Sequence, residues 1–393
     1  MLNNYFVDLH IHIGASESGQ PVKITASKRL NFANILEESL RNKGLDMIGI
    51  IDCASPAVIK DMEKLISEGK MRELEAGGIA YGDLVIIPGS EVESRESNGG
   101  QAHYLAYFPY IKDLKEYSRV MDQYITNINL SSQSTGLTGK EIFQIIEYHG
   151  GIMVPAHVFT PHKSFYGRSF QSYNEIFTDD EWEKIPAIEL GLSADTYMAD
   201  FLSELEDKTF ISNSDAHSLI KIAREYNIFC MKELNFREFK LALYHKNGRG
   251  IEKNYGLDPR LGKYHRTYCS KCEKSFSFDD YVIKCPECGN DDIIMGVKDR
   301  ILNISDREES LSPARRGIYI HQVPLRDIPG IGKKTYQKLL NAFGTEMNIL
   351  HKTDEKELSS VVKKDIAEKI MKFRSGDISI REGGGGHYGK VMG

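Results

Sequence analysis

Short apolar runs alternate with amphipathic helical patterns over residues 1–240. Seven runs have the length of buried strands: Tyr5–Leu9, Met47–Ile51, Leu84–Pro88, His103–Phe108, Gly151–Pro155, Ala187–Leu190 and Thr209–Ser212. Apolar residues recur at helical spacing over Phe32–Lys43, Ala57–Lys70, Leu114–Asn127, Gly139–His149 and Tyr197–Leu205. Such alternation is typical of a parallel sheet or an α/β barrel, and seven strands nearly close a barrel.

The remainder of the chain has a different pattern. A polar, glycine-containing connector over 241–265 leads into a cysteine-containing module over 266–296 and then a charged stretch. Short helices separated by Pro-Gly and Gly turns follow, and the glycine-rich tail is expected to be flexible. We therefore predict an α/β domain, a connector with a cysteine module, a helical domain and a tail, over residues 1–240, 241–320, 321–382 and 383–393.

Composition and charge narrow the class of protein. With 41% hydrophobic and 27% charged residues, the 393-residue chain can bury a core. No apolar run approaches the ~20 residues of a membrane helix, and the N-terminus lacks a secretory pattern, so we expect a cytoplasmic protein without membrane contact. Residues 1–240 carry 23 Lys and Arg against 35 Asp and Glu, whereas residues 241–393 carry 27 against 21. The acidic part suits bound cations and the basic part suits a polyanion, although chance variation explains the asymmetry equally well.

Residues with metal-ligating side chains lie next to the predicted strands. They are Asp8, His10, His12, Asp52, Cys53, Glu91, His103, His157, Asp215 and His217. Residues i and i+2 of an extended segment point to the same side, so His10 can share a metal with His12, and Asp215 with His217. Because the C-terminal strand ends of an α/β barrel converge on one face, the pattern predicts a polynuclear metal site with Glu91 as a bridge.

These motifs resemble the PHP (polymerase and histidinol phosphatase) family. The resemblance covers residues 1–240, through Asp8-Leu-His10-Ile-His12, Ile51-Asp52-Cys53, Gly89-Ser90-Glu91, His103-Tyr-Leu, Pro155-Ala-His157 and Ser214-Asp215-Ala-His217. It implies a distorted seven-stranded barrel with a two- or three-metal phosphoesterase site. The ligands it implies are His10, His12, Glu91, His103, His157, Asp215 and His217, of which Glu91, Asp215 and His217 are the expected catalytic residues.

The sequence departs from the family at two places that affect the metal count. Cys53 stands where the family usually has histidine, and residues 14–19 lack the usual further His or Asp. Cys53 can still ligate as a thiolate and Glu17 can substitute, so two and three metals both stay open. Asp8 is expected to orient a ligand rather than bind metal. His and carboxylate ligands suit Zn, Mn, Mg or Fe without choosing among them, and paired metals suit phosphate ester hydrolysis.

Four cysteines form two C-x2-C pairs separated by twelve residues. Cys269, Cys272, Cys285 and Cys288 have the spacing of a tetrahedral structural zinc site of the zinc-ribbon kind. Such modules often only brace a fold, so direct contact with DNA stays open.

A second feature of the basic part is a glycine hairpin. The segment Ile328-Pro-Gly330-Ile-Gly332-Lys333-Lys334 looks like the hairpin of a helix-hairpin-helix motif. The helix after such a hairpin offers free backbone N–H groups and its positive dipole end to a DNA phosphate, and the two lysines add charge. The alternative is an ordinary turn between helices.

An aromatic and cationic stretch follows His157. It runs from Phe159 to Phe170 and contains His162, Lys163 and Arg168. It either stacks an unpaired base and contacts DNA, or it packs as a loop over the rim of the barrel.

The order of phosphoesterase barrel, zinc ribbon and helix-hairpin-helix resembles the endonuclease Q family over essentially the whole chain. The resemblance implies cutting of damaged double-stranded DNA 5′ to uracil, hypoxanthine, xanthine or an abasic site, with the lesion flipped out of the duplex. The residues alone indicate a metal-dependent phosphodiesterase that holds DNA. A phosphatase of a small phosphomonoester, a lesion-independent 3′ exonuclease and a non-catalytic DNA-binding adaptor are the alternatives.

Overall fold

A computed structural model describes residues 1–276, 284–374, 376, 379–383, 387 and 389–392. Its strands are β1 (Asn3–Ile11), β2 (Met47–Ile50), β3 (Arg72–Glu73), β4 (Ile79–Tyr81), β5 (Leu84–Glu93), β6 (His103–Tyr107), β7 (Ile152–Pro155), β8 (Ala187–Glu189), β9 (Thr209–Ile211), β10 (Tyr226–Met231), β11 (Gly250–Gly256), β12 (Thr267–Cys269), β13 (Lys274–Phe276), β14 (Ile293–Ile294), β15 (Ile318–His321), β16 (Ser379–Arg381) and β17 (Lys390–Met392). All seven predicted strands are present, as β1, β2, β5, β6, β7, β8 and β9.

The helices surround these strands and fill the C-terminal part. They are α1 (Phe32–Glu37), α2 (Pro56–Ser67), α3 (Ile111–Met121), α4 (Gly139–Tyr148), α5 (Asp179–Glu183), α6 (Thr196–Ala199), α7 (Phe236–Leu243), α8 (Val297–Ile304), α9 (Lys333–Phe343), α10 (Glu346–His351), α11 (Glu355–Val361) and α12 (Lys364–Arg374). Each predicted helical region contains a helix, although α1 continues as a π-helical segment over Glu38–Lys43. None of the helices described is long and apolar enough to cross a membrane.

The main sheet has ten strands and mixes parallel with antiparallel pairs. Its order is β15-β11-β10-β1-β2-β5, and β5 then pairs with both β4 and β6. Strands β1, β2 and β5 are parallel, whereas β5, β6 and β7 are antiparallel to one another. Strands β8 and β9 form a separate parallel pair. The fold is therefore mixed α/β, and the sheet continues past residue 240 because β11 and β15 pair along its edge.

One buried apolar cluster joins all seven predicted strands. It receives Val7, Met47, Val85, Leu105, Val154, Ala187 and Ile211, one from each strand. Isolated backbone hydrogen bonds link the remaining edges. The Val158 N–H donates to the Glu189 carbonyl at 2.9 Å, and Ile11 forms an isolated bridge with Ala216 through two hydrogen bonds of 3.1 Å. Full closure into a seven-stranded barrel stays a prediction, because in the described residues these two edges are not joined by paired strands.

A buried interface fixes the C-terminal helices, α9–α12, to the main sheet. The Lys43 ammonium lies 2.7 Å from the Glu346 carboxylate, and both side chains are at most 3% exposed. The His351 ring packs 4.8 Å from the Phe6 ring, and the Tyr226 hydroxyl lies 2.7 Å from His351 Nε2. Burial lowers the pKa of His351 to about 4, so its neutral ring can accept this hydrogen bond. Removing one partner of a buried ion pair costs about 3–5 kcal/mol, because the other charge is then buried without a counter-ion.

The end of the chain also contacts the connector. Strands β16 and β17 pair antiparallel, and the Gly383 N–H donates to the Arg260 carbonyl at 2.7 Å. We predicted a flexible tail over 383–393; its described residues include β17, whereas 384–386, 388 and 393 lie outside the described part.

Candidate metal centre

One histidine of β1, His10, and the histidine just after this strand, His12, converge on one point. His10 Nε2 and His12 Nε2 lie 3.3 Å apart, and both rings are buried. This agrees with the prediction that the i and i+2 side chains share one side.

A carboxylate holds the far side of each ring. His10 Nδ1 lies 2.9 Å from Glu189 Oε2, and His12 Nδ1 lies 3.1 Å from Asp52 Oδ2. Such contacts fix the tautomer with the proton on Nδ1 and leave Nε2 free as a ligand. Since metal-binding histidines usually have this partner, the geometry fits a metal better than a structural hydrogen-bond network.

Glu91 lies at the centre of the cluster, with its side chain 1% exposed. Its Oε1 atom is 3.6 Å from His10 Nε2, 3.1 Å from His103 Nδ1 and 3.7 Å from His157 Nε2. His103 Nε2 lies 3.5 Å from Glu93 Oε2, and neither of these two His103 contacts has the geometry of a hydrogen bond in the described part of the chain. Buried polar atoms are normally hydrogen-bonded, and a metal ligand role would satisfy the nitrogens of His103.

Asp215 and His217 complete the cluster from the segment after β9. Asp215 Oδ1 lies 3.5 Å from His10 Nε2, 3.3 Å from His12 Nε2 and 3.4 Å from His217 Nδ1. The structure therefore brings together all seven residues that the family resemblance implied as ligands. Their atoms form three overlapping groups, each within 4.8 Å, namely His10-His12-Glu91, His12-Asp215-His217 and Glu91-His103-His157.

Backbone strain is concentrated around this cluster. His157 and Asp215 have φ angles of 32° and 43°, and Ser132 and Lys163 have angles of 53° and 51°. A left-handed conformation costs a non-glycine residue about 1–3 kcal/mol and tends to occur at functional sites. Strain at these positions is typical of residues whose side chains are held in place for function rather than for stability.

The charges of the cluster call for a cation. Burial disfavours the protonated form of His10, but Glu189 and then Asp215 outweigh it and raise its pKa to about 10. Burial likewise opposes the ionisation of Glu91, yet His103 and Lys23 hold its pKa well below the usual range. In the metal-free protein, a proton on His10 thus helps to balance the ionised carboxylates, and a divalent metal would replace that proton.

Metal binding should therefore release protons, and its affinity should rise with pH. His10 is protonated below a pKa of about 10, so a metal must displace that proton at neutral pH. We expect Mn²⁺ affinity to rise about tenfold per pH unit for each displaced proton between about pH 6 and 9. Titration with a fluorescent chelator measures this, and Mn²⁺ is suitable because thiolate sites bind it weakly. An affinity independent of pH would contradict the charge balance.

Three residues considered from the sequence lie apart from the three groups. Cys53 is fully buried among apolar residues, and burial raises its pKa, which disfavours a thiolate. Glu17 is exposed and accepts a hydrogen bond from the Ala33 N–H at the start of α1. Asp8 accepts from the Ser214 and Ala223 N–H groups, which agrees with an orienting role. Ligation by Cys53 stays a prediction.

Four further residues of the site were not singled out from the sequence. They are Lys23, Ser131, Ser132 and Glu189. Glu189 could have been identified from the sequence, because a glutamate inside the apolar run Ala187–Leu190 needs a buried partner. The other three lie in polar loops, where nothing in the sequence distinguishes them.

Two cavities adjoin the metal cluster and share His157, Asp215 and His217. The first, of about 460 Å³, is also lined by His162, Ser193, Asn213, Lys221, Arg224 and Tyr264. The second, of about 390 Å³, is also lined by Lys23, Glu91, His103, Ser132 and Lys163. Both are within the size range of small-molecule sites.

The aromatic stretch after His157 packs rather than facing solvent. Phe159, Phe165, Tyr166 and Phe170 are at most 5% exposed. Of the two alternatives for these rings, the packed loop is observed. Its polar residues differ in position: His162 lines the first cavity, Lys163 pairs with Glu93 at 2.6 Å, and Arg168 is exposed.

The four predicted zinc cysteines lie together beside the small sheet β13-β12-β14. The Sγ atoms of Cys269 and Cys288 are 3.8 Å apart, and those of Cys272 and Cys285 are 3.7 Å apart. Tetrahedral zinc with Zn–S bonds of about 2.3 Å requires sulfur separations of about 3.8 Å. The geometry therefore fits a structural zinc; residues 277–283 between the two pairs lie outside the described part.

The glycine hairpin precedes α9. Gly330 has φ of 98°, which favours glycine, and Gly332 caps α9 without a side-chain hydrogen bond. Lys333 and Lys334 are exposed at the start of that helix. The element before the hairpin is a single 3₁₀ turn over Leu325–Asp327 rather than an α-helix, so a complete helix-hairpin-helix stays a prediction.

Comparisons with known proteins cover the whole chain. The family described as the MJ0043 C-terminal domain matches residues 333–377. The uncharacterised protein YqxK of Bacillus subtilis (strain 168) is 44% identical over 393 residues, which are 99% of this chain and 100% of YqxK. The lesion-specific endonuclease PfuEndoQ from Pyrococcus furiosus has a TM-score of 0.84 and 33% identity, covering 99% of this chain and 95% of that chain. An Endonuclease Q complex with a 27-mer duplex containing an abasic lesion has a TM-score of 0.83 and 32% identity, covering 99% and 96%. Identity of this degree over nearly complete chains means that the protein belongs to the endonuclease Q family.

Proposed function

We propose that the protein is a DNA repair endonuclease that hydrolyses the phosphodiester bond 5′ to deaminated bases and abasic sites. The observation that carries the proposal is the cluster of seven ligand-type residues beside a cavity of about 460 Å³. The deaminated bases are uracil, hypoxanthine and xanthine. Similarity to a structure with an abasic duplex at its active site supports this class of substrate.

The cluster is proposed to hold two or three divalent metals of the Zn, Mn, Mg or Fe type. Metals bound there would lower the pKa of water and stabilise negative charge on phosphoryl oxygens. Glu189 and Asp52 orient the ligand rings of His10 and His12, and Glu91 and Asp215 each face several ligand nitrogens. We assign Glu91, Asp215 and His217 to catalysis, since each reaches the cluster and the last two also line both cavities.

The first cavity is proposed to receive the flipped lesion. The His162 and Tyr264 rings are nearly perpendicular, with centroids 5.5 Å apart, and both line this cavity together with His157, Asp215 and His217. Asn213 and Ser193 provide groups that can hydrogen-bond to the edge of a base. An unpaired or mismatched base costs less to extrude, which favours lesions over intact pairs.

DNA outside the cavity is proposed to contact the hairpin before α9. Gly330 and Gly332 expose the backbone there, and Lys333 and Lys334 add charge. His162, Lys163 and Arg168 are proposed to contact DNA near the metals. The four cysteines are proposed to hold one structural zinc. The four-part division of the chain stays a proposal, and β11 and β15 extend the main sheet past its first boundary at residue 240.

The proposal is tested with a duplex that contains one central deoxyuridine and is labelled at each end. With Mg²⁺ or Mn²⁺ we expect one nick 5′ to the uridine, leaving a 3′-hydroxyl and a 5′-phosphate, and no nick in the undamaged duplex. Mononucleotides released from the undamaged duplex would indicate an exonuclease. Inorganic phosphate released from histidinol phosphate without any nick would indicate a phosphatase, and either outcome contradicts the proposal.

Replacing Lys333 and Lys334 together with alanine should weaken DNA binding for damaged and undamaged duplexes alike. A phosphate contact carries no sequence information, and each lost contact lowers the slope of log affinity against log salt by about 1. Fluorescence anisotropy over a salt series measures both effects. The control replaces the exposed Lys338 and Lys356 in the same way. An equal loss in the control would show that only net charge matters.

A further inference from the structure

The side chain of Lys23 reaches into the metal centre from the loop after β1. Its ammonium lies 3.0 Å from Glu91 Oε2, also bonds the Ser132 hydroxyl, and the side chain is 14% exposed. The Lys23 N–H donates to the Ile13 carbonyl at 2.8 Å, which ties the loop to the end of β1. Lys23 is thus a fixed cation next to candidate ligands for a metal cation, and the ligand set does not explain its presence.

The two oxygens of Glu91 have different surroundings. Oε1 is the atom near the ligand nitrogens of His10, His103 and His157, at 3.1 to 3.7 Å. Oε2 bonds Lys23 and the Ser132 hydroxyl, and it is 3.8 Å from His12 Nε2. Two hydrogen-bond donors therefore hold one oxygen, while the other faces the nitrogens of two different candidate groups.

The second donor is held in place by strained backbone. Ser132 has φ of 53°, and the Ser132 N–H donates to the Glu91 carbonyl at 3.2 Å. The neighbouring Ser131 hydroxyl bonds Asp52, the carboxylate behind His12. A conformation that costs energy and aims two adjacent hydroxyls at two carboxylates of the centre indicates a site built to fix those carboxylates.

We propose that Lys23 is a positioning residue that holds Oε2 of Glu91. Only Oε1 is then available to the two candidate ligand groups that include Glu91. The proposal rests on the proposed function for its relevance to DNA incision. If so, Glu91 would offer a single oxygen, Oε1, to metal. Its carboxylate would already have this orientation before metal binds. Without the ammonium, the carboxylate is free to turn and to offer both oxygens.

The test compares Lys23→Met with Lys28→Met in the full-length protein. Lys28 is exposed in the same loop, so the control makes the same chemical change outside the centre. Mn²⁺ affinity and the electron paramagnetic resonance spectrum of the Mn²⁺-loaded protein are measured for each. Loss of a residue that orients a ligand typically costs about 10–100-fold in metal affinity or activity. We expect that loss of affinity and an altered spectrum for Lys23→Met, and wild-type behaviour for Lys28→Met.

The outcomes separate this proposal from its alternatives. Wild-type affinity and spectrum in Lys23→Met would overturn it, and tighter binding would show that Lys23 only repels metal, which also overturns it. If Lys23→Met fails to fold, Ser132→Ala removes the other donor on the same oxygen and should lower Mn²⁺ affinity. An unchanged affinity there would again overturn the proposal. Absence of DNA incision by the wild-type protein contradicts the proposed function and leaves these metal measurements valid.

Discussion

Asp215→Asn should abolish DNA incision while leaving DNA binding intact. Asp215 Oδ1 lies within 3.5 Å of the Nε2 atoms of both His10 and His12, so the variant loses the charge that joins two candidate groups. Replacing a residue that only orients a ligand typically lowers activity about 10–100-fold. Replacing a direct ligand should therefore lower the incision rate about 1,000-fold or more. Incision rates with saturating enzyme and affinity by anisotropy measure the two effects separately.

The matched control for this variant is Asp83→Asn. Asp83 is exposed in the turn between β4 and β5, away from the cluster, so incision should stay at the wild-type rate. Incision by Asp215→Asn at the wild-type rate would remove Asp215 from the metal centre. Loss of binding together with incision would instead indicate a general structural defect.

Cys285→Ser should remove one zinc ion per chain and unfold the cysteine module. The strands in the described residues of the module, β12, β13 and β14, are short, so these residues bury little apolar surface. In zinc-finger peptides the metal contributes about 10–16 kcal/mol of folding free energy. We therefore expect rapid proteolysis within residues 266–296, with zinc content measured by mass spectrometry.

Cys230→Ser is the control for loss of a thiol. Cys230 lies on β10, outside the four-cysteine group, so zinc content and protease resistance should match the wild type. Full zinc content in Cys285→Ser would show that the four cysteines do not form the site.

The positions of seven strands could be predicted from the sequence, but their directions could not. The apolar runs that became β5, β6 and β7 have the pattern of buried strands, which is the same for parallel and antiparallel neighbours. The short loop between β5 and β6 makes an antiparallel hairpin possible, and that is what forms. Strands β10 and β11 were missed because the first seven runs already accounted for a complete sheet.

The seven candidate ligands could be located from the sequence because their residue types are distinctive and lie at strand ends. The residues that support them are of ordinary types, so their roles depend on tertiary contacts. Lys23 is one of 50 lysines and arginines, and only its distance from Glu91 distinguishes it. The aromatic residues are distinctive in the sequence, but their role could not be predicted from it. Phe165 and Tyr166 would have the same sequence pattern whether they stacked on a base or packed in the core, where they are buried.

The buried Lys43–Glu346 pair has a consequence for how substrates are chosen. Together with the packing of His351 against β1 and β10, it ties the helices that follow the hairpin to the sheet that carries His10. If the hairpin and the metal centre both contact one duplex, as proposed, and this interface holds their separation, the DNA itself must bend and unstack to reach both. Discrimination would then depend on how easily each sequence deforms, so that a lesion flanked by flexible pyrimidine–purine steps is cut faster than the same lesion within a stiff A-tract.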